Sequence, residues 1–84
     1  MAKIEIYTKQ NCSYCVRAKQ LLDKKKVKYT EIPVDQDEAA FQKMLSCSEG
    51  RRTVPQIFID NRAIGGCDDL YALDETGQLD HILK

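Results

Sequence analysis

Residues 11–15 read Asn-Cys-Ser-Tyr-Cys, and this stretch separates two segments of different periodicity. Before it, residues 3–8 (KIEIYT) place Ile4 and Ile6 in alternation with charged side chains, which is the pattern of a half-buried strand. After it, residues 16–26 (VRAKQLLDKKK) are rich in lysine and have no such alternation. The two cysteines therefore lie where a strand leads into a different kind of element.

The segment around and beyond the second cysteine has helical periodicity. Cys15, Ala18 and Leu22 fall on one stripe at helical spacing, and the opposite face is charged. We expect a helix over about residues 14–25, with Cys12 in the loop that precedes it and Cys15 one turn inside. The pair of thiols is thus predicted at a strand-to-helix corner.

A second strand and a second helix follow. Residues 27–34 (VKYTEIPV) alternate in the manner of a strand, and Pro33 perturbs its hydrogen-bond ladder. Asp35 or Asp37 is placed to cap a helix that runs to about Cys47.

The last third of the chain predicts a hairpin and a closing helix. Residues 54–60 (VPQIFID) form a strong strand signal, and a short turn pairs them with residues 63–66 (AIGG). A last helix begins near Asp68 or Asp69, and residues 79–83 (LDHIL) close the chain.

The predicted order of elements is β-α-β-α-β-β-α. Helices between the first three strands favour a parallel first βαβ unit, and the hairpin adds an antiparallel edge. We expect the α/β class, with a mixed four-stranded sheet flanked by helices in one domain spanning residues 1–84.

Composition excludes several classes of function. The 13 basic and 13 acidic residues give a formal net charge of zero, which argues against a nucleic-acid partner bound by bulk electrostatics. The N-terminal residues have no signal-peptide pattern, and no apolar run is long enough for a membrane span. We therefore expect a cytoplasmic protein, in which four cysteines are unsuited to two structural disulfides.

The Cys-x-x-Cys pair has three possible roles: a structural disulfide, a metal site or a redox centre. A helix N-terminus stabilises a thiolate at Cys12, Lys9 adds a positive charge nearby, and Cys15 lies close enough to attack a disulfide formed on Cys12. The other candidate zinc ligands, Cys47, Cys67 and His81, lack suitable spacing. The pattern favours redox chemistry and predicts no protein metal site.

Three motifs in this order, CSYC (12–15), TVPQIFID (53–60) and GGCDDL (65–70), closely resemble the small bacterial dithiol glutaredoxins of the thioredoxin fold, over essentially the whole chain. The resemblance implies a glutathione-dependent thiol–disulfide oxidoreductase. Cys12 would be the nucleophile that carries glutathione as a mixed disulfide, and Cys15 would resolve protein disulfides. The family motif is usually Cys-Pro-Tyr-Cys, so Ser13 is a departure from it.

The resemblance also implies a set of glutathione-binding residues, namely Lys9, Tyr14, Gln42, Thr53, Val54, Pro55, Gly66, Cys67, Asp68 and Asp69. Lys9, aided by Gln42, would bind the glycyl carboxylate. A cis peptide bond before Pro55 would present the Val54 backbone to the cysteinyl residue.

The γ-glutamyl end of glutathione would lie at the start of the last helix. Backbone N–H groups of Cys67 and Asp68 would bind its carboxylate, and Asp68 or Asp69 would accept from its ammonium group. Tyr14 would shield the sulfur. Taken singly, these residues also fit structural roles as a surface lysine, helix caps, an edge-strand proline or a core aromatic residue.

Ser13 supports a second hypothesis. Some family members with Cys-Ser-Tyr-Cys hold a [2Fe–2S] cluster between two monomers, through the first cysteine and glutathione, so Cys12 would be its protein ligand. For the main hypothesis we expect a monomer whose partners are glutathione and disulfide-containing or glutathionylated proteins. Ribonucleotide reductase is the partner expected by family analogy.

Overall fold

The computed structural model describes residues 2–83. Its elements in chain order are β1 (Ile4–Thr8), α1 (Ser13–Lys24), β2 (Thr30–Pro33), α2 (Glu38–Cys47), β3 (Gln56–Ile59), β4 (Arg62–Gly65), α3 (Cys67–Glu75) and α4 (Gln78–Ile82). The α/β class and the β-α-β-α-β-β-α order are confirmed, with a short additional helix at the end. Among the helices of residues 2–83, none has the length and apolar character that crossing a bilayer requires.

The four strands form one mixed sheet in the order β2-β1-β3-β4. β1 and β2 are parallel, whereas β1–β3 and β3–β4 are antiparallel. The end of β1 that leads to Cys12 therefore lies beside the start of β3 and the loop before it. This juxtaposition brings residues of the first and second motifs together at one end of the sheet.

Helices cover both faces of the sheet. On one face, Ile6 and Ile57 pack with Ala18, Leu22 and other side chains of α1, α3 and α4. On the other face, Tyr7 and Phe58 pack against Met44 of α2 with their rings at 81°. β1 is consequently buried on both faces at its end, where the sequence predicted a half-buried strand.

The first two helices begin close to the predicted positions because their caps are local. Cys12 is the N-cap of α1, and its sulfur accepts from the Cys15 N–H. Asp37 is the N-cap of α2 and accepts from Ala40 N at 3.1 Å. Of the two aspartates considered for that cap, Asp37 is the one used.

The second strand is shorter than predicted. Val27 and Tyr29 lie before β2 and pack as half-buried side chains against the core on the α1 side. Pro33 closes the strand opposite Thr8, at the edge of the sheet, where a proline costs no ladder bond to a further strand.

The hairpin prediction is confirmed, since Asp60 and Asn61 form a tight turn with φ values of 52° and 67°. The closing segment differs, because Gly77 with φ of 79° separates α3 from α4. Lys25, the C-cap of α1, holds this corner by ion pairs to Asp74 and, at 2.9 Å, to Asp80.

Candidate active site

The two cysteines of residues 11–15 form a disulfide at the N-terminus of α1. The Cα atoms of Cys12 and Cys15 are 5.2 Å apart, and the Cys15 N–H donates to Cys12 Sγ at 3.1 Å. Cys12 is half-buried, whereas Cys15 is 1% exposed. An incoming sulfur therefore reaches Cys12 and not Cys15, which is the asymmetry expected of a nucleophile and a resolving thiol.

A cavity of about 180 Å³ lies on one side of Cys12 and collects most of the predicted ligand-binding residues. It is lined by Tyr14, Arg51, Thr53, Val54, Pro55, Gly66, Cys67, Asp68 and Asp69. Eight of these nine residues were predicted from the sequence, and Arg51 was not. We call this cavity the ligand groove.

The Val54 backbone forms the wall of the ligand groove beside the disulfide. The Val54–Pro55 peptide bond is cis, as the resemblance implied. The Val54 carbonyl oxygen lies 3.9 Å from Cys12 Sγ. Within residues 2–83, the Val54 N–H and C=O make no hydrogen bond to other backbone groups, so both are free for an extended ligand.

The loop that carries Val54 is fixed from below by Gln56. This buried side chain donates to the Thr53 carbonyl oxygen at 2.9 Å and contacts Thr53 Oγ1 at 3.2 Å. The Thr53 side chain remains exposed. Gln56 thus satisfies its buried amide while holding the wall of the groove in place.

The far end of the ligand groove is the N-terminus of α3. Gly66 is its N-cap, and the Gly66 N–H donates to Asp69 Oδ2 at 2.9 Å. Asp69 Oδ2 also pairs with Arg51 Nη2 at 3.5 Å. The backbone N–H groups of the first turn and the guanidinium are positive, and Asp68 and Asp69 are negative, so this end suits a zwitterionic group.

A second, larger cavity of about 660 Å³ lies on the other side of Cys12, toward β2. Its lining includes Lys9, Lys19 and Glu31. Glu31 accepts from the buried Thr8 hydroxyl at 2.8 Å and from Lys19 at 3.0 Å. These two hydrogen bonds lower the pKa of Glu31, and the hydrogen bond from Lys19 has the larger effect.

The structure does not bring Lys9 and Gln42 into the ligand groove with the other predicted residues. Lys9 is exposed and lines the larger cavity. Gln42 is exposed on α2, lines neither cavity, and donates to Glu38 at 2.8 Å. Neither of the two residues expected to bind the glycyl carboxylate therefore lies in the ligand groove.

Tyr14 lies at the mouth of the ligand groove, with 53% of its surface exposed. Arg17 stacks between two tyrosines, with its guanidinium carbon 5.8 Å from the Tyr14 ring centre and 5.5 Å from that of Tyr71. The Tyr71 hydroxyl donates to the Arg17 carbonyl oxygen at 3.1 Å. Tyr14 is therefore an exposed residue at the mouth of the groove, positioned by Arg17, and is not a core aromatic residue.

Comparison with known proteins agrees with this geometry. Residues 4–64 match the family model described as Glutaredoxin. The chain is 58% identical over 84 residues to "Glutaredoxin 3" of Escherichia coli strain K12, with complete coverage of both chains. These matches decide the family.

The chain belongs to the glutaredoxin family. Glutaredoxins are glutathione-dependent thiol–disulfide oxidoreductases, and this chain is one of them. Glutathione is its co-substrate.

Solved glutaredoxin structures have the same fold. A buckwheat glutaredoxin–glutathione complex aligns with a TM-score of 0.87 at 34% identity, covering 98% of this chain and 76% of that one. The solution structure of a glutaredoxin from Brucella melitensis aligns with a TM-score of 0.86 at 45% identity, covering 100% and 90% of the two chains. The thioredoxin-like fold of this glutaredoxin is thereby confirmed.

The two remaining cysteines of this glutaredoxin differ in environment. Cys67 is buried at the start of α3, and burial raises the pKa of its thiol. Cys47 is exposed on α2 beside Lys43 and Tyr7, away from both cavities at Cys12. Cys67 lines the ligand groove with only 4% of its surface exposed, and Cys47 lies outside that groove.

Proposed function

We propose that this glutaredoxin reduces glutathionylated proteins by a monothiol route through Cys12. The Cys12 thiolate attacks the glutathione sulfur of the mixed disulfide, and the protein sulfur leaves as a thiolate that takes up a proton. A second glutathione thiolate then attacks the glutathione sulfur on Cys12, which releases oxidised glutathione and restores the Cys12 thiolate. Cys12 is the accessible sulfur of the pair, and this observation supports the route best.

We propose a dithiol route for protein disulfides. Cys12 attacks one sulfur of the substrate and forms a mixed disulfide with it. The Cys15 thiolate then attacks Cys12 Sγ, the substrate leaves as a dithiol, and the Cys12–Cys15 disulfide remains. Two glutathione molecules reduce that disulfide. The 5.2 Å Cα separation and the burial of Cys15 support its role in this second step.

We propose that glutathione lies in the ligand groove with its cysteinyl residue antiparallel to Val54, in the manner of an added strand. The free N–H and C=O of Val54 would pair with the cysteinyl backbone, and Thr53 and Pro55 would flank it. The γ-glutamyl group would lie at Gly66, Cys67 and the two aspartates that follow. The buckwheat glutaredoxin was solved as a complex with glutathione, which supports glutathione itself as the ligand.

Lys9 and Gln42 remain proposed ligands of the glycyl carboxylate. Lys9 lies on a loop next to Cys12, so its exposed and flexible side chain can turn toward a bound ligand. Gln42 would first have to leave Glu38. Of the two, Lys9 is the stronger proposal.

Variants of the two thiols test both routes. Cys12→Ser should abolish reduction of a glutathionylated peptide and of a protein disulfide. Cys15→Ser should keep the first activity and lose the second. Activity retained by the Cys12 variant would refute the nucleophile, and protein-disulfide reduction retained by the Cys15 variant would refute the resolving role.

The proposed partners are disulfide-containing and glutathionylated proteins, with ribonucleotide reductase the candidate by family analogy. We propose that the protein acts in the cytoplasm as a monomer. Trapping with a Cys15→Ser variant, which leaves a mixed disulfide on Cys12, would identify the partners by mass spectrometry. Light scattering of the purified chain would measure its mass in solution.

Ser13 supports a second proposal, a [2Fe–2S] carrier. Within residues 2–83, no three His, Cys, Asp or Glu side chains are clustered to hold a metal ion. One chain would therefore supply Cys12 alone, and glutathione and a second copy would complete the set. Anaerobic reconstitution with glutathione should give visible charge-transfer absorbance and a dimer, whereas a colourless monomer would contradict the proposal.

A further inference from the structure

The γ-glutamyl end of the ligand groove contains a cation that the sequence did not predict. Arg51 comes from the loop between α2 and β3, and it lines the groove together with Gly66, Cys67 and the two aspartates. We propose that Arg51 binds the α-carboxylate of the γ-glutamyl group and thereby determines specificity for glutathione. This inference rests on the proposed position of glutathione in that groove.

The backbone of Arg51 is fixed before any ligand arrives. The buried Ser48 accepts from the Arg51 N–H through its carbonyl oxygen at 3.4 Å, and its hydroxyl donates to the Arg51 carbonyl oxygen at 3.2 Å. The Arg51 side chain then extends over Gly65, since a Cβ built on Gly65 would be 3.0 Å from Arg51 Nη1. The guanidinium is thus delivered to the N-terminus of α3 by an anchored loop.

The Arg51–Asp69 pair is suited to exchange partners with a zwitterion. It has a single contact of 3.5 Å, and both side chains are about half exposed, at 50% and 52%. Such exposed pairs contribute little to stability, so separating them is cheap. An α-ammonium group would then take Asp69, and the adjacent α-carboxylate would take Arg51 together with the first-turn N–H groups.

The charges at this end explain why a cation is needed. Asp68 and Asp69 carry two negative charges within the groove, and an α-carboxylate would be repelled by them without a counter-charge. Arg51 is the cationic side chain in the lining of the groove. A γ-glutamyl thiol, with its carboxylate and ammonium on one carbon, therefore fits better than an ordinary peptide thiol.

The test compares three mixed disulfides of one reference peptide. The first carries glutathione, the second carries γ-aminobutyryl-Cys-Gly, which lacks the α-carboxylate, and the third carries glutaryl-Cys-Gly, which lacks the ammonium. For Arg51→Gln we expect kcat/KM for the glutathione disulfide to fall about three- to tenfold, the size of one exposed charge-assisted contact. The disulfide without the carboxylate should be reduced equally by both proteins.

Two further variants make the outcome specific. Arg51→Lys keeps the charge and should recover part of the loss. Arg62→Gln removes an exposed arginine of β4, at the opposite end of the sheet from Cys12, and should leave all three substrates unchanged. An equal loss on all three disulfides with Arg51→Gln, or no loss on any, would overturn the inference, while inactivity of Cys12→Ser would still uphold the proposed function.

Discussion

The amide N–H of Cys15 donates to Cys12 Sγ at 3.1 Å, so the helix that carries one thiol also caps the other. Sulfur and donor are three residues apart, which is the spacing of an N-cap to the third residue of a helix. In the reduced protein the same N–H faces a sulfur that can bear a negative charge. The Cys15 N–H therefore caps α1 in the oxidised protein and is placed to stabilise the Cys12 thiolate in the reduced protein.

The capped sulfur should react faster than an exposed thiol elsewhere on the molecule. In the reduced protein at pH 7, we expect iodoacetamide to alkylate Cys12 about tenfold faster than Cys47, because a helix N-terminus raises the thiolate fraction. Peptide mass spectrometry of a time course measures both rates in one sample. Equal rates would mean that the corner does not activate Cys12.

Ser13→Pro should preserve both the fold and this reactivity. Cys12 has φ of −110° and ψ of 104°, an extended conformation that a following proline favours, and Ser13 is the first residue of α1. Within residues 2–83 the Ser13 N–H makes no hydrogen bond, so the ring removes none. We expect stability to rise by about 0.5 kcal/mol, measured by urea unfolding. A clear loss of stability would show that the serine makes a contact of its own.

Cys67 should react far more slowly than Cys47 in the reduced chain. Burial is the main cause that raises its pKa, so at pH 7 to 8 it stays protonated and shielded at 4% exposure. We expect labelling of Cys67 only in denaturant, while Cys47 reacts in the native protein. A Cys47→Ser variant serves as the control for peptide assignment. Rapid native labelling of Cys67 would show that the start of α3 opens.

Glu31 should make stability depend on acid pH. Its folded-state pKa lies below the ordinary value of 4.5, so its contribution is present above that pH and is lost as the pH falls through the folded value. Since 41% of the side chain is exposed, we expect less than about 1 kcal/mol. Unfolding curves of Glu31→Gln should differ from wild type at pH 6 and converge near pH 2. Glu49→Gln, which alters an exposed residue, should show no such convergence.

Lys25 should hold the corner between α3 and α4. Hydrogen bonds to Asp74 and, with a smaller effect, to Asp80 raise the pKa of Lys25 above its ordinary value of 10.5. The contribution of Lys25 to stability is therefore full below pH 10.5 and is lost as the pH rises through the folded-state pKa. We expect Lys25→Met to lower the melting temperature at pH 7, and to do so less in high salt. Lys24→Met, on the exposed side of the same turn, is the matched control. Equal effects of the two variants would indicate lost helix propensity, not lost ion pairs.

Features with local causes could be predicted from the sequence. The caps at Cys12 and Asp37 and the Asp60–Asn61 turn depend on residues within four positions of one another, so their signals are readable in order along the chain. The Cys-x-x-Cys corner belongs to this group. The thiol pair was therefore predictable in both position and accessibility.

Features that depend on distant pairs were not predicted. The Glu31 carboxylate meets Thr8 across 23 residues, and Arg51 meets Asp69 across 18, so neither contact leaves a short-range pattern. The break at Gly77 was also missed, because the segments on either side share helical periodicity. From the sequence alone, Arg51 resembles any surface arginine beside a strand, because its proximity to Asp69 becomes visible only once the order of the strands is known.

In the sheet order β2-β1-β3-β4, one half of the sheet consists of the two strands that precede the loop between α2 and β3, and the other half consists of the two strands that follow it. The part of the chain up to Gly50 carries both redox thiols. Gly50 itself is exposed, and a Cβ built on it would have no neighbour within 4 Å. Everything after it carries the Val54 wall and the α3 terminus. A cut at that loop would leave one fragment with the two redox thiols and another with most of the proposed glutathione-binding surface. Turnover of glutathione disulfides would then report the reassociation of the two halves, which makes this chain a basis for a split-enzyme sensor.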